Sequence, residues 1–165
     1  MKTRLALPIL AACAALLAAP QARAGIVDSP LPVLSAGATT FHLYSVPGVI
    51  SSGGLTTYFS CTSTDTATMQ VGVEIFGGAG GAPANDAAAT SLSVATGATV
   101  TFGTGAAVGI SIDSNLGTGF GSSARILATS KKLACTAFVA DPGNAPPTSM
   151  VQLTIIKKTT QKAAN

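Results

Sequence analysis

The sequence has no tryptophan, one histidine and few charges, with Asp, Glu, Lys and Arg together making up 9% of 165 residues. Each shortage excludes something. Because His42 is the only imidazole, any Ser/His/Asp, Cys/His or histidine-ligated metal site has to use it. No Gly-x-Ser-x-Gly turn is present to raise a nucleophile, the glycine-rich runs lack the Lys and Ser/Thr of a phosphate loop, and no Cys-x-x-Cys offers a redox pair. Beyond the N-terminus, no apolar run approaches the ~20 residues of a membrane-spanning helix.

What is present begins with Lys2 and Arg4, continues through the apolar LALPILAACAALLAAP and reaches Ala22-Arg23-Ala24. A positive start, an apolar middle and a small-x-small end predict a signal peptide over residues 1–24 and export to the periplasm or the cell exterior. Leu10-Ala11-Ala12-Cys13 resembles a lipobox, which makes lipid anchoring through Cys13 the alternative. Cys13 lies early and apolar sequence continues past it, so simple cleavage is expected. The leader holds three of the nine basic residues and none of the six acids, so the mature chain is neutral. Neutrality gives no basis for binding nucleic acid or an anionic membrane. The partners expected are an envelope or extracellular molecule, or further copies of the chain.

The 141 residues after the leader are the size of one domain. Only 12 of them are charged, and all 18 glycines lie among them. Thr, Gly and Ser disfavour helices and suit strands and turns. Hydropathy repeats with a period of two: Leu55, Thr57, Phe59 and Cys61 alternate with Thr56, Tyr58, Ser60 and Thr62. Met69, Val71, Val73 and Ile75 alternate with Gln70, Gly72 and Glu74, and the two segments are expected to form a hairpin around Asp65. Further strands are expected at 39–46, around Leu92 and Val94, around Val100 and Phe102, over Val108, Ile110 and Ile112, within 123–130, from Leu133 to Val139, and through Val151, Leu153 and Ile155. That makes about eight or nine short strands in all. Residues 25–38, with two prolines, read as an extended lead-in whose Leu31, Val33 and Leu34 form an edge strand. Glycine-rich loops are expected at 77–90, exposed and mobile, and at 113–123, and a polar tail at 159–165.

Two cysteines remain after cleavage, Cys61 and Cys135, each on the apolar face of its segment. An even pair in an oxidising compartment predicts a disulfide. Closing a loop of about 75 residues is worth roughly 4 kcal/mol in the chain-entropy model. The fold expected over 39–158 is therefore an all-β antiparallel sandwich with one disulfide. A bridge from an early strand to a late one resembles the inter-sheet bridge of immunoglobulin-like domains. The likeness is one of architecture: the packing tryptophan of true immunoglobulin domains is missing, and the likeness implies no function.

Candidate chemistry is sparse. His42, between Phe41 and Leu43, is expected to face solvent. Asp28, Asp65, Glu74, Asp86, Asp113 and Asp141 are widely spaced, and most fall where turns favour Asp. Asp113-Ser114-Asn115-Leu116-Gly117 resembles the start of a calcium loop but has Gly at its fifth position and Ala124 where the bidentate Glu belongs. The row Thr62, Thr64, Thr66, Thr68 is interrupted by Asp65. No catalytic residue, metal or cofactor is assigned. Charge is segregated: residues 25–124 hold five acids and no base, whereas 125–165 hold six bases and one acid. Pairing within the fold is expected to neutralise these halves, the alternative being that they meet between subunits. The function expected is that of an exported, non-enzymatic module for interaction or assembly. The alternatives are a small secreted hydrolase using His42 or a carboxylate pair, and a glycan-binding module with exposed Tyr44, Tyr58 and Phe120.

Overall fold

The computed structural model describes residues 25–78, 82–117 and 121–158; the expected leader and the 159–165 tail lie outside them. Among the described residues there is no helix, and 11 strands form two sheets. The first sheet has the order β11 (Ile156–Lys157), β1 (Phe41–Pro47), β8 (Ser123–Ala128), β4 (Met69–Phe76), β5 (Leu92–Val94). The second has the order β10 (Met150–Gln152), β9 (Leu133–Ala140), β3 (Leu55–Ser63), β6 (Thr99–Gly103), β7 (Ser114–Asn115), with β2 (Ser51–Ser52) paired to β3. Every pairing is antiparallel except β6 with β7.

The period-two pattern builds the core. Val71, Val73 and Ile75 of β4 and Ala124, Ile126 and Ala128 of β8 pack with Phe59 of β3, Phe102 of β6 and Ala137 of β9 in one buried cluster drawn from both sheets. Burying each of the large side chains contributes on the order of 1.5–3 kcal/mol. Tyr44 of β1 also spans the sandwich, its hydroxyl donating to the carbonyl of Leu133 at the start of β9. The fold is the expected all-β sandwich, and the strand count rises to 11 because of two-residue strands that no periodicity can signal.

Several local expectations are corrected. β3 and β4 do not form a hairpin: β4 lies between β8 and β5 in the other sheet, one face packed in the core between the sheets and the other covered by the lead-in and the 82–91 loop. Residues 64–68 cross between sheets beside the second crossing at 129–132. The Asp65 carboxylate fastens the two, accepting from Ser130 Oγ and pairing with Lys132 Nζ at 3.3 Å. Cys61 and Cys135 are bonded, but they face each other across the β3–β9 ladder with Cα atoms 4.1 Å apart. The bridge therefore staples neighbouring strands of one sheet, unlike the inter-sheet bridge of immunoglobulin-like domains. Val108, Ile110 and Ile112 form no strand; Ser114–Asn115, inside the expected 113–123 loop, pairs with β6 instead. The last expected strand divides into β10 and β11, one on each sheet.

The lead-in forms no strand either. Leu34 turns onto the outer face of the first sheet, where it packs with Leu127 and with Ala87 of the 82–91 loop. This cover closes over Gly72, where a Cβ would stand 2.9 Å from the Ala87 carbonyl oxygen and 3.0 Å from Leu34 Cδ2. Loop 82–91 is thus partly a lid on the sheet, and Ala87 is buried.

Candidate functional site

Residues directly opposite one another on neighbouring strands share a face. The register places Glu74 opposite Arg125, and Gly72 and His42 both opposite Leu127. All five lie on the outer face of the first sheet, beneath the lead-in. Arg125 is fully buried and Glu74 nearly so. The guanidinium donates from Nε to Glu74 Oε2, from Nη1 to the carbonyls of Ser29 at 2.9 Å and Ile26 at 3.4 Å, and from Nη2 to the carbonyl of Pro30 at 2.7 Å. It also lies over the Phe76 ring, 5.2 Å from its centroid. Burial pushes the Glu74 carboxyl above its ordinary range, and the adjacent guanidinium offsets part of that rise. The pair latches the lead-in to the sheet through backbone carbonyls, so it reads the shape of that segment and not its side chains.

Sequence reasoning passed over Arg125. Its signal was nonetheless there: one acid and one base, each alone in the middle of a strongly apolar strand, are the residues most in need of each other.

His42 faces away from the core as expected, but it is buried because the outer face is covered. The ladder shifts register between His42 and Tyr44, a bulge that puts His42, Leu43 and Tyr44 in succession under cover. His42 Nε2 lies 3.1 Å from the Tyr44 carbonyl and 3.0 Å from Ser45 Oγ. A carbonyl only accepts, so the contact with Tyr44 is a hydrogen bond in the tautomer that carries the proton on Nε2. In that tautomer Nε2 cannot take the proton of Ser45 Oγ, and the two contacts hold the ring in the bulge.

Of the remaining carboxylates, Asp28 is exposed in the lead-in and the other four serve turns and loops. Ser130 Oγ and the Thr66 backbone N–H hold the Asp65 carboxyl down at about 2. The Asn144 side chain and the Ser149 backbone N–H do the same for Asp141, also at about 2. Asp86 caps the backbone of Ala88 and Ala89 at 2.9 and 3.1 Å. In the calcium-like stretch, Asp113 Oδ2 accepts from Thr101 N at 2.7 Å, Asn115 Oδ1 from Gly117 N at 2.9 Å, and Leu116 is buried. The oxygens that would ligate a cation are thus engaged in shaping the turn. Among the described residues no group of three His, Cys, Asp or Glu side chains is placed to hold a metal. Two cross-half ion pairs, Glu74–Arg125 and Asp65–Lys132, join the acidic and basic parts of the sequence within one chain. Of the aromatic trio, Tyr44 and Tyr58 are buried, Tyr58 stacked on Phe138, and Phe120 lies outside the described residues.

The C-terminal flank is the opposite kind of surface. After β9 the chain turns through 141–149, runs along β9 as β10, and crosses at 153–155 to border β1 as β11. It is tied by Leu153 N to the Ala137 carbonyl at 2.8 Å and Lys158 N to the Leu43 carbonyl at 2.7 Å. An open groove of about 420 Å³ lies along it, lined by Cys135, Thr136, Gln152, Leu153, Thr154 and Ile155. The lining offers hydroxyls, an amide and the rim of the disulfide; none of the carboxylates and not His42 enters it. Met150, Val151 and Ile156 beside it are 59%, 64% and 52% exposed. This chemistry suits contact with an extended backbone or another sheet edge.

Comparison with known proteins found no matching family, no matching curated protein and no matching solved structure.

Proposed function

We propose that the chain is an exported, non-enzymatic β-sandwich module that works by interaction or assembly at the cell envelope or outside the cell, with the β10/β11 flank as its working surface. The observation that carries this reading is the exposure of Met150, Val151 and Ile156 on two consecutive edge strands, beside an open groove. Edge strands present unpaired backbone donors and acceptors, and sheet proteins usually blunt them with charge or proline. Here β10 carries no charge, and β11 carries one, Lys157. The Cys61–Cys135 bond is compatible with a compartment that oxidises thiols, which supports export.

The test is to produce the full chain with a photoreactive residue in place of Val151, irradiate intact cells and fractionate them. Recovery outside the cytoplasm with cross-linked species from position 151, and none from the same residue at exposed Ala67 in the 64–68 crossing, supports the proposal. Retention in the cytosol with free thiols, or equal labelling from both positions, rejects it.

A further inference from the structure

The two flanks of the sandwich carry opposite charge. On one, β10 and β11 are the end strands of their respective sheets; on the other, β5 and β7 are. The second flank is held together by Ser114 Oγ of β7 donating to the Thr90 carbonyl just before β5, at 3.0 Å. It is extended by the 82–86 segment, whose Asn85 side chain occupies the open edge of β4 by accepting from Ile75 N and donating to the Val73 carbonyl, both at 2.8 Å. Exposed Asp86 and Asp113 lie on this flank, and residues 82–94 and 113–117 include no base. The first flank holds Lys157 and Lys158 in a 150–158 segment with no acid, and Lys131 lies over the Phe41 ring of neighbouring β1. Asp141, near the start of β10, adds one negative charge that its own loop engages through Asn144, Thr148 and Ser149, and Lys157 and Lys158 outnumber it.

Resting on the assembly reading above, we propose that the occupant of the β10/β11 flank is the β5/β7 flank of a second copy, so that molecules join head to tail. Opposite charge selects the unlike edge and disfavours the like one. The open backbone of both edges supplies hydrogen bonds, and the apolar side chains of β10 and β11 are covered in the contact. A contact between unlike surfaces that does not close on itself yields open chains instead of a symmetric dimer.

Sedimentation of the purified protein tests this. The wild type is expected to grow with concentration beyond the dimer, and raising salt to about 1 M, where charges are screened within a few ångströms, should weaken association by about tenfold or more. Lys157→Glu with Lys158→Glu reverses one flank. Ala89→Lys with Ser93→Lys, both at exposed positions, neutralises the other. Each double variant, checked for an unchanged thermal transition, is expected to be monomeric where the wild type assembles. Mixing the two should restore dimers, because each retains the flank the other lost. A wild type that stays monomeric, a dimer that never extends, or a mixture no larger than its parts overturns head-to-tail assembly. Should cross-links from position 151 then reach only other proteins, the interaction module stands and this occupant is wrong.

Discussion

The outer face of the first sheet and the C-terminal flank treat their side chains in opposite ways. Under the lead-in, a full positive charge is buried with each guanidinium nitrogen donating to an acceptor; on the flank, three large apolar groups are left facing outward. A buried arginine is tolerable only while every partner stays in place, because losing one leaves charge or carbonyls unpaired in a poor solvent. An exposed edge tolerates almost any change in isolation and matters only when something docks. The first region therefore fixes the fold, and the second is free to serve contacts.

Changes at the latch should have the largest effect. Arg125→Met leaves Glu74 and three carbonyls without their donor and is expected to cost about 3–5 kcal/mol, read as a fall in the denaturant midpoint. A loss below about 1 kcal/mol would mean that the pair is not buried as described. Next comes the bridge: replacing Cys61 and Cys135 together by alanine should cost about 2–4 kcal/mol, and an unchanged midpoint would show that the β3–β9 ladder holds without it. Gly72→Ala drives a methyl against the Ala87 carbonyl and Leu34, so a loss of about 1–3 kcal/mol is expected, with new protease cuts in 25–34 as the lead-in lifts. Intact resistance to cleavage would count against the cover. The smallest effect on folding belongs to the flank: Val151→Ser should shift stability by no more than about 0.5 kcal/mol while reducing association. A large destabilisation there would erase the contrast between the regions.

Much of this was legible in the residues. Strict alternation in Leu55–Cys61 and Met69–Ile75 placed two central strands, and the like orientation of the cysteines anticipated their bond. The same alternation misjudged Glu74 and His42, because a period of two identifies the face opposite the core but not whether something covers it. The cover comes from a proline-containing segment with no period at all, held by carbonyls that every residue possesses. The hairpin expected around Asp65 failed for a related reason: a short connection fits a crossing between sheets as well as a turn within one.

The all-β class, the strands with long alternation and the pairing of the two cysteines follow from side-chain spacing and residue chemistry. Which sheet each strand joins, that the bridge lies within one sheet, that Arg125 closes over Glu74, and that Lys157 and Lys158 end on one flank and Asp86 and Asp113 on the other are settled only in the folded chain. Those outcomes depend on contacts between residues far apart in the chain, and local periodicity carries no record of them.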